Sequence, residues 1–342
     1  MRQLKVLVCV FVSLFSLLLV GCFPNNNDAV KEEVLLQGRT MGTTYNIKVV
    51  VDKGFDTAEL HQAIDQALLA VNQSMSTYIP DSELSLFNKS EGINPIKISA
   101  GLNKVLTEAL RLGKISQGKL DVTVGPLVNL WGFGPEYRVE KMPTAEEEAI
   151  AKARIGLQHI QLINGQLSKT IPDLYIDLST IAKGYGVDVI ADLLESDGID
   201  GYLVEIGGEM RLKGFKADGT LWHVAVEKPV TAERSVHQII VPKDNAVATS
   251  GDYRNYIEVD GQRYSHIIDP DTARPIAHKL VSVTVIHPSS MTADGLSTAI
   301  MVMGVEKGLA FAKEHDIAAM LIAKTADGFE EINTVKFMPY LK

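Results

Sequence analysis

Cysteine is almost missing from this chain, and what there is lies at one end: of 342 residues only Cys9 and Cys22 carry a thiol. An internal disulfide framework, a zinc finger and a thiolate-bound iron–sulfur cluster are therefore excluded beyond residue 22, and a metal there must bind oxygen or imidazole. A basic surplus is missing too. The 33 Lys and Arg against 42 Asp and Glu give a formal net charge of −9 at pH 7, which leaves nothing to neutralise a phosphate backbone and makes nucleic acid a poor partner. No Gly-x-Gly-x-x-Gly pattern follows a predicted strand, so a nicotinamide dehydrogenase has little support. There is no internal repeat or low-complexity block after residue 34. With 46% hydrophobic and 22% charged residues, the chain is a globular sequence long enough for one large or two ordinary domains.

The one long apolar run is at the start. Arg2 and Lys5 precede Val6–Val20, 15 residues interrupted only by Ser13 and Ser16. A spanning helix needs about 20 apolar residues, so this run reads as an export signal rather than a permanent span. It closes with LVGC at 19–22, which resembles the bacterial lipobox. That resemblance implies cleavage after residue 21 and a lipid on Cys22, so that the mature chain has no free thiol. Loss of Arg2 and Lys5 takes the formal charge from −9 to −11. Residues 22–33 then read as a lipidated cysteine and a polar tether, and 34–342 as the working body, in an extracytoplasmic space. Nothing downstream reads as long and apolar enough to cross a membrane.

Tyr45, Ile47, Val49 and Val51 alternate as in a half-buried strand after a turn at Met41-Gly42. Asp56 and Glu59 have capping-box spacing before Leu60, Ile64, Leu68 and Val71, one face of a helix ending near Met75. Further helices are expected from Ser99 to Gly118 and from Thr180 to Asp197-Gly198. Short strands read at 203–206, 211–215, 222–227, 236–241, 256–259, 263–268 and 280–286. Helices at 292–304 and 306–314 and a strand at 318–323 complete the chain. This hairpin-rich pattern predicts an α+β fold of mixed or antiparallel sheets packed with helices, one compact body of one or two lobes.

Chemistry can be read at three places, each with a plain alternative. The segment DLSTIAKGYG, 177–186, follows an apolar LYI strand and opens a helix, a seat for a phosphate or simply a helix start capped by Ser179 or Thr180. Asp294 and Thr298 stand one helical turn apart, as hard-cation ligands or with Asp294 as an acid favoured by the helix dipole. His266 lies in YSHIIDPDTARPI, where alternation puts it on one face with Ile268, as a base or as a core histidine. The turn-rich stretches 125–135, 205–211 and 248–256 allow close backbone approach to a ligand.

In order, TMGT at 40–43, MSTY at 75–78, KLDVTVGPLVNLWGFG at 119–134, DLSTIAKGYG, IGGE at 206–209, SGDYRNY at 250–256, SHIIDP at 265–270 and ADGLSTA at 293–299 resemble the FAD:protein FMN transferase (ApbE) family. The resemblance runs from about residue 36 to the carboxyl end. It implies an enzyme that splits FAD at its pyrophosphate and attaches FMN through a phosphoester to a threonine of an exported or membrane flavoprotein subunit. By position it implies FAD contacts at Met41, Tyr78, Lys119, Leu120, Asp121, Asp177, Lys183, Ile268 and Ser297. It implies Mg²⁺ ligands at Thr180, through its carbonyl, Asp294 and Thr298. Ser297 stands where many relatives have aspartate, and Lys183 replaces an acid found in some. With the acceptor threonine as nucleophile, the enzyme needs only a base, and His266 is the candidate.

The resemblance further implies an acceptor segment of Asp-(Ser/Thr)-Gly-Ala-Thr type on a membrane redox complex, and a lipid-anchored, periplasm-facing location in the bacterial envelope. Two other readings stay open here: FAD hydrolysis to FMN and AMP at the same site, and a flavin-binding lipoprotein without chemistry.

Overall fold

The computed structural model describes residues 30–135, 142–229, 235–253, 256–259 and 262–342. Cys22 and the lipobox lie outside them. The first described element, β1 (Lys31–Thr40), already takes in residues 31–33, which the sequence reading assigned to the tether. Its antiparallel partner β2 (Thr43–Asp52) follows across the Met41-Gly42 turn, where φ is +48° and +71°. In β2 the alternation is realised: Tyr45, Ile47, Val49 and Val51 are buried, and the residues between them are not.

An eight-stranded sheet, antiparallel throughout, organises the molecule. Its order is β1, β2, β6 (Tyr202–Ile206), β7 (Glu209–Lys213), β10 (Ala246–Gly251), β15 (Leu280–His287), β16 (Ala318–Lys324) and β17 (Phe329–Asn333). The expected α+β class with mixed or antiparallel sheets is what is found. On the β1–β2–β6 side, α1 (Ala58–Met75) and α6 (Ala182–Ser196) cover one face, with Leu60, Ile64, Leu68, Val187, Ile190 and Leu194 against the strands. On the β10–β15–β16 side both faces are covered. One meets α3 (Ala100–Ile115) and α7 (Ser290–Glu314); the other meets the ribbon of β8 (Val224–Glu227) and β9 (Val236–Ile240) and Phe337. Strand β15 is accordingly buried along nearly its whole length, the near-continuous apolar pattern of a strand covered on both sides.

Smaller elements complete the chain: α2 (Glu83–Lys89), β3 (Ile96–Lys97), α4 (Gly125–Leu130), α5 (Ala145–Lys152), the β4–β5 hairpin (Ile160–Ile163 and Gln166–Lys169), β11 (Tyr256–Val259), β12 (Gln262–Ser265), β13 (Ile268–Asp269) and β14 (Arg274–Pro275).

Several local expectations are corrected. Thr57 precedes α1 without a side-chain cap, and Asp56 instead accepts the Ala58 N–H at 2.9 Å, so no capping box forms with Glu59. Helix α6 begins at Ala182 after Ile181, capped by neither Ser179 nor Thr180. The LYI segment joins no sheet. Asn88 takes both the Ile176 N–H and its carbonyl, and the Asp177 N–H goes to Val122. The expected strand 263–268 breaks at His266 into β12 and β13, leaving Ile267 and Ile268 both buried. The turn-rich readings at 248–256 and 125–135 hide strand β10 and helix α4.

The two helices expected at 292–304 and 306–314 are one element, α7, broken at Gly304, where φ is +77° and ψ −175°. Its 25 residues are long and apolar enough to cross a membrane, a possibility the sequence reading passed over, but most are buried within the body.

Strands β7 and β10 pair only at Ala246–Arg211 and Val247–Met210. Beyond Val247, β10 runs on against β15 alone. Where the two strands part, the sheet opens into the main cavity.

Candidate functional site

The cavity has a volume of about 510 Å³. Its wall is assembled from separate parts of the chain: the Lys119–Val128 segment, residues 177–183 at the head of α6, the Gly207-Gly208 turn with the start of β7, β8, the end of β10 and the His266–Pro270 bend, with Asp294, Thr298 and Val302 of α7 at the floor. Gly207 (φ +59°) and Gly208 (φ +105°) make the β6–β7 turn possible, and a Cβ at 207 would strike the Thr43 methyl at 2.8 Å.

Of the residues singled out in the sequence, Tyr78, Lys119, Leu120, Asp121, Asp177, Thr180, Lys183, His266, Ile268, Asp294 and Thr298 all line this one cavity. Met41 and Ser297 do not. Met41 sits in the β1–β2 turn with its thioether methyl against Gly186 of α6. Ser297 is fully buried behind the wall, where its hydroxyl donates to the Asp294 carbonyl at 2.9 Å and meets Ser250 Oγ at 2.8 Å. Ser250, in the wall, also reaches Thr298 Oγ1 at 3.2 Å, so β10 and α7 are joined by hydroxyls at the floor.

Charge is concentrated at that floor. The Lys183 ammonium lies 2.6 Å from Glu209, whose carboxylate is 3% exposed, and Asp294 is 4% exposed. Burial raises the Glu209 carboxyl against the pull of Lys183. Asp294 is pushed up to about 8, first by burial and then by the Glu209 charge, while Lys183 and the Gly184 N–H at 3.0 Å pull the other way. Burial would lower Lys183, but Glu209 and Asp294 outweigh it and hold the ammonium above its ordinary range. Two buried acids share one half-buried ammonium, and the shortfall of positive charge leaves Asp294 avid for a proton or a cation. Glu209 is the functional candidate that sequence reasoning missed. It closes the IGGE motif, which reads as a glycine turn and as one motif of the resemblance, with no role given to the acid.

The dipole explanation of Asp294 does not hold. Helix α7 starts at Ser290 and has no acid in its own first turn, so Asp294 sits one turn deep, where the dipole gives it little. Nearby, Thr180 Oγ1 is buried and, among the described residues, without a hydrogen-bond partner. The donors at this floor are therefore all oxygen: one carboxylate with a single N–H donor, the Thr298 hydroxyl, and Thr180. That set suits a hard cation such as Mg²⁺. Among the described residues no three His, Cys, Asp or Glu side chains gather to hold a metal alone, so water and substrate oxygens would have to complete the shell.

The rest of the wall is preorganised by local bonds. Asp121 accepts from the Thr123 N–H at 2.7 Å and Asp177 from the Ser179 N–H at 2.8 Å, and burial raises both carboxyls. Burial would also lower Lys119, but ion pairs to Asp269 at 2.8 Å and Asp271 at 2.7 Å more than compensate and tie the Lys119 segment to the β13 bend. Tyr78 stands at the mouth, 66% exposed. His266 faces the cavity with its ring edge-on to Phe133, centroids 6.3 Å apart. The cavity thus joins an electropositive lysine, a floor suited to a cation, apolar walls and a histidine, a combination fit for an anionic ligand with a large ring system.

A family model described as the ApbE family matches residues 41–321. The FAD:protein FMN transferase of Vibrio cholerae is 54% identical over 326 residues, covering 95% of this chain and 96% of its own length. That of Haemophilus influenzae is 50% identical over 305 residues, covering 86% and 88%. The solved flavin transferase ApbE from Vibrio cholerae superposes with a TM-score of 0.86 over 91% of this chain and all of its own.

Proposed function

The chain belongs to the ApbE family, and on that premise we propose that it is an FAD:protein FMN transferase acting on a threonine hydroxyl. One observation carries the reading. Residues far apart in the chain close around a single cavity whose floor holds Asp294, Lys183 and Glu209.

In the proposed reaction the threonine oxygen attacks the phosphorus on the FMN side of the FAD pyrophosphate. The bond from that phosphorus to the bridging oxygen breaks, and AMP leaves with the bridging oxygen. His266 accepts the hydroxyl proton, for which it needs only hydrogen-bond reach to the incoming oxygen. Lys183 counters pyrophosphate charge, Gly184 holds the Asp294 carboxylate through its N–H, and the apolar wall takes the flavin ring. Mg²⁺, held by the Thr180 carbonyl, Asp294 and Thr298, would neutralise charge developing on the departing phosphate. Met41 and Ser297 then act from behind the wall rather than as direct contacts, Ser297 by tying Asp294 to Ser250.

The acceptor on this reading is an exported flavoprotein subunit of a membrane redox complex with an Asp-(Ser/Thr)-Gly-Ala-Thr-like segment. Small residues around the threonine let its oxygen come within about 3–3.5 Å of phosphorus. The enzyme itself would be anchored through lipidated Cys22 and face the periplasm.

The test combines purified protein, FAD, Mg²⁺ and such an acceptor. Acid-stable fluorescent flavin should appear on the acceptor with one AMP released per flavin, and it should vanish when the final threonine is changed to alanine. Rapid AMP release without acceptor would make the protein an FAD hydrolase, and labelling of the alanine acceptor would remove threonine as nucleophile.

A further inference from the structure

The start of α7 is held by a side chain from another helix. A helix leaves its first N–H groups without intrahelical partners, and here Asp188 of α6 takes two of them, Ser290 N at 2.9 Å and Met291 N at 3.0 Å. The same carboxylate accepts the Ser289 hydroxyl at 2.7 Å, and Arg211 of β7 approaches it at 3.2 Å. Asp188 is 5% exposed, and both of its oxygens are occupied. It supplies the negative charge that the α7 terminus lacks in its own sequence.

The spacing gives this grip its meaning. Thr180, Gly184 and Asp188 follow at intervals of four, and so do Ser290, Asp294 and Thr298 on the facing element. Gly184 is the middle rung. Its N–H donates to Asp294, and a Cβ there would lie 2.3 Å from the Ser290 carbonyl oxygen, so the two backbones touch. Asp188 closes the far rung and leaves no slack for α7 to slide along α6. We infer that Asp188 is a positioning residue that fixes the register of α6 on α7, and through it the placing of Asp294 and Thr298 against Thr180. This rests on the reading of those three residues as a cation site.

The experiment uses the purified chain, Mn²⁺ as the probe, and FAD binding followed by flavin fluorescence in excess chelator. Losing charge-assisted bonds at the rung should let the ligands separate. Asp188→Ala should weaken Mn²⁺ binding about tenfold while chelator-state FAD affinity stays within about twofold. Asp188→Asn, which keeps one acceptor oxygen and the same volume, should fall between the two and serves if the alanine variant does not fold. Asp192→Ala should match the wild type, because Asp192 also pairs with Arg211, at 2.9 Å, but among the described residues makes no bond to α7.

Unchanged Mn²⁺ affinity in a folded Asp188 variant would overturn the inference, as would an equal loss in Asp192→Ala, an equal loss of FAD and metal, or no Mn²⁺ binding by the wild type. If Mn²⁺ binding depends on Asp188 but neither AMP nor labelled acceptor forms, the positioning role stands and the transferase reading falls.

Discussion

On the β1–β2–β6 side of the sheet, the side chains meeting α1 and α6 are nearly all hydrocarbon, and Ile47, Val49, Ile64, Ile190 and Val204 are fully buried there. At the gap between β7 and β10, the floor sets the buried acids Glu209 and Asp294 beside a half-buried Lys183 and hydroxyls. The first region gains stability from every residue it buries. The second carries two acids on one ammonium and a threonine hydroxyl that has no partner among the described residues, a costly arrangement in a folded protein unless a ligand supplies the missing charge. Stability and chemistry are thus laid out on different strands of one sheet, and changes in the two regions should fail in different ways.

The largest effect should come from the floor. Asp294→Ala should lower AMP release by roughly 10³-fold or more, and excess chelator should do the same to the wild type until Mg²⁺ is restored, with no drop in the unfolding midpoint of the variant. Turnover that survives the chelator would remove the cation from the mechanism. In the other region Ile47→Ala should cost about 3 kcal/mol in denaturant unfolding, with normal activity per folded molecule. A selective loss of turnover would show that the two regions are not separate.

His266→Ala is expected to slow transfer by roughly 10²-fold with FAD binding kept. A lowered melting temperature at near-normal turnover would make it a packing residue. The smallest effect concerns Asp252, at the end of β10, whose carboxyl burial pushes up to about 6. A folded-state pKa above the unfolded value gives stability that is full below about pH 4 and is lost as pH rises through 6. Asp252→Asn should therefore gain on the order of 1 kcal/mol at pH 8, discounted for partial exposure, and nothing at pH 4. An equal gain at both pH values would mean a packing effect instead.

The two regions also differ in how far the sequence revealed them. Alternation gave β2, and three- and four-residue spacing gave α1, α3 and α6, because apolar cores impose their period on the chain. Strand β10 reads as loop because Thr249, Ser250 and Gly251 face a cavity rather than hydrocarbon. The motif residues were visible as motifs, yet Glu209 was not separable from its glycine turn. Asp188 could not be read at all, since its partners lie about a hundred positions away and an aspartate inside a helix looks like a solvated face. The helix kink at Gly304, by contrast, was legible as the boundary between two helices.

The β1–β2 hairpin acts as a spacer. Its turn at Met41-Gly42 lies beside Gly186 and the Gly207 turn at the cavity, and its open end holds Lys31 opposite Asp52. Ten residues of strand, at 3.2–3.4 Å each, set those ends about 30 Å apart. On the proposed anchoring through Cys22, the chain would be held at the hairpin end remote from the Met41-Gly42 turn. On that reading, a protein that delivers a hydroxyl to the cavity would have to present it about a hairpin's length from the anchored end.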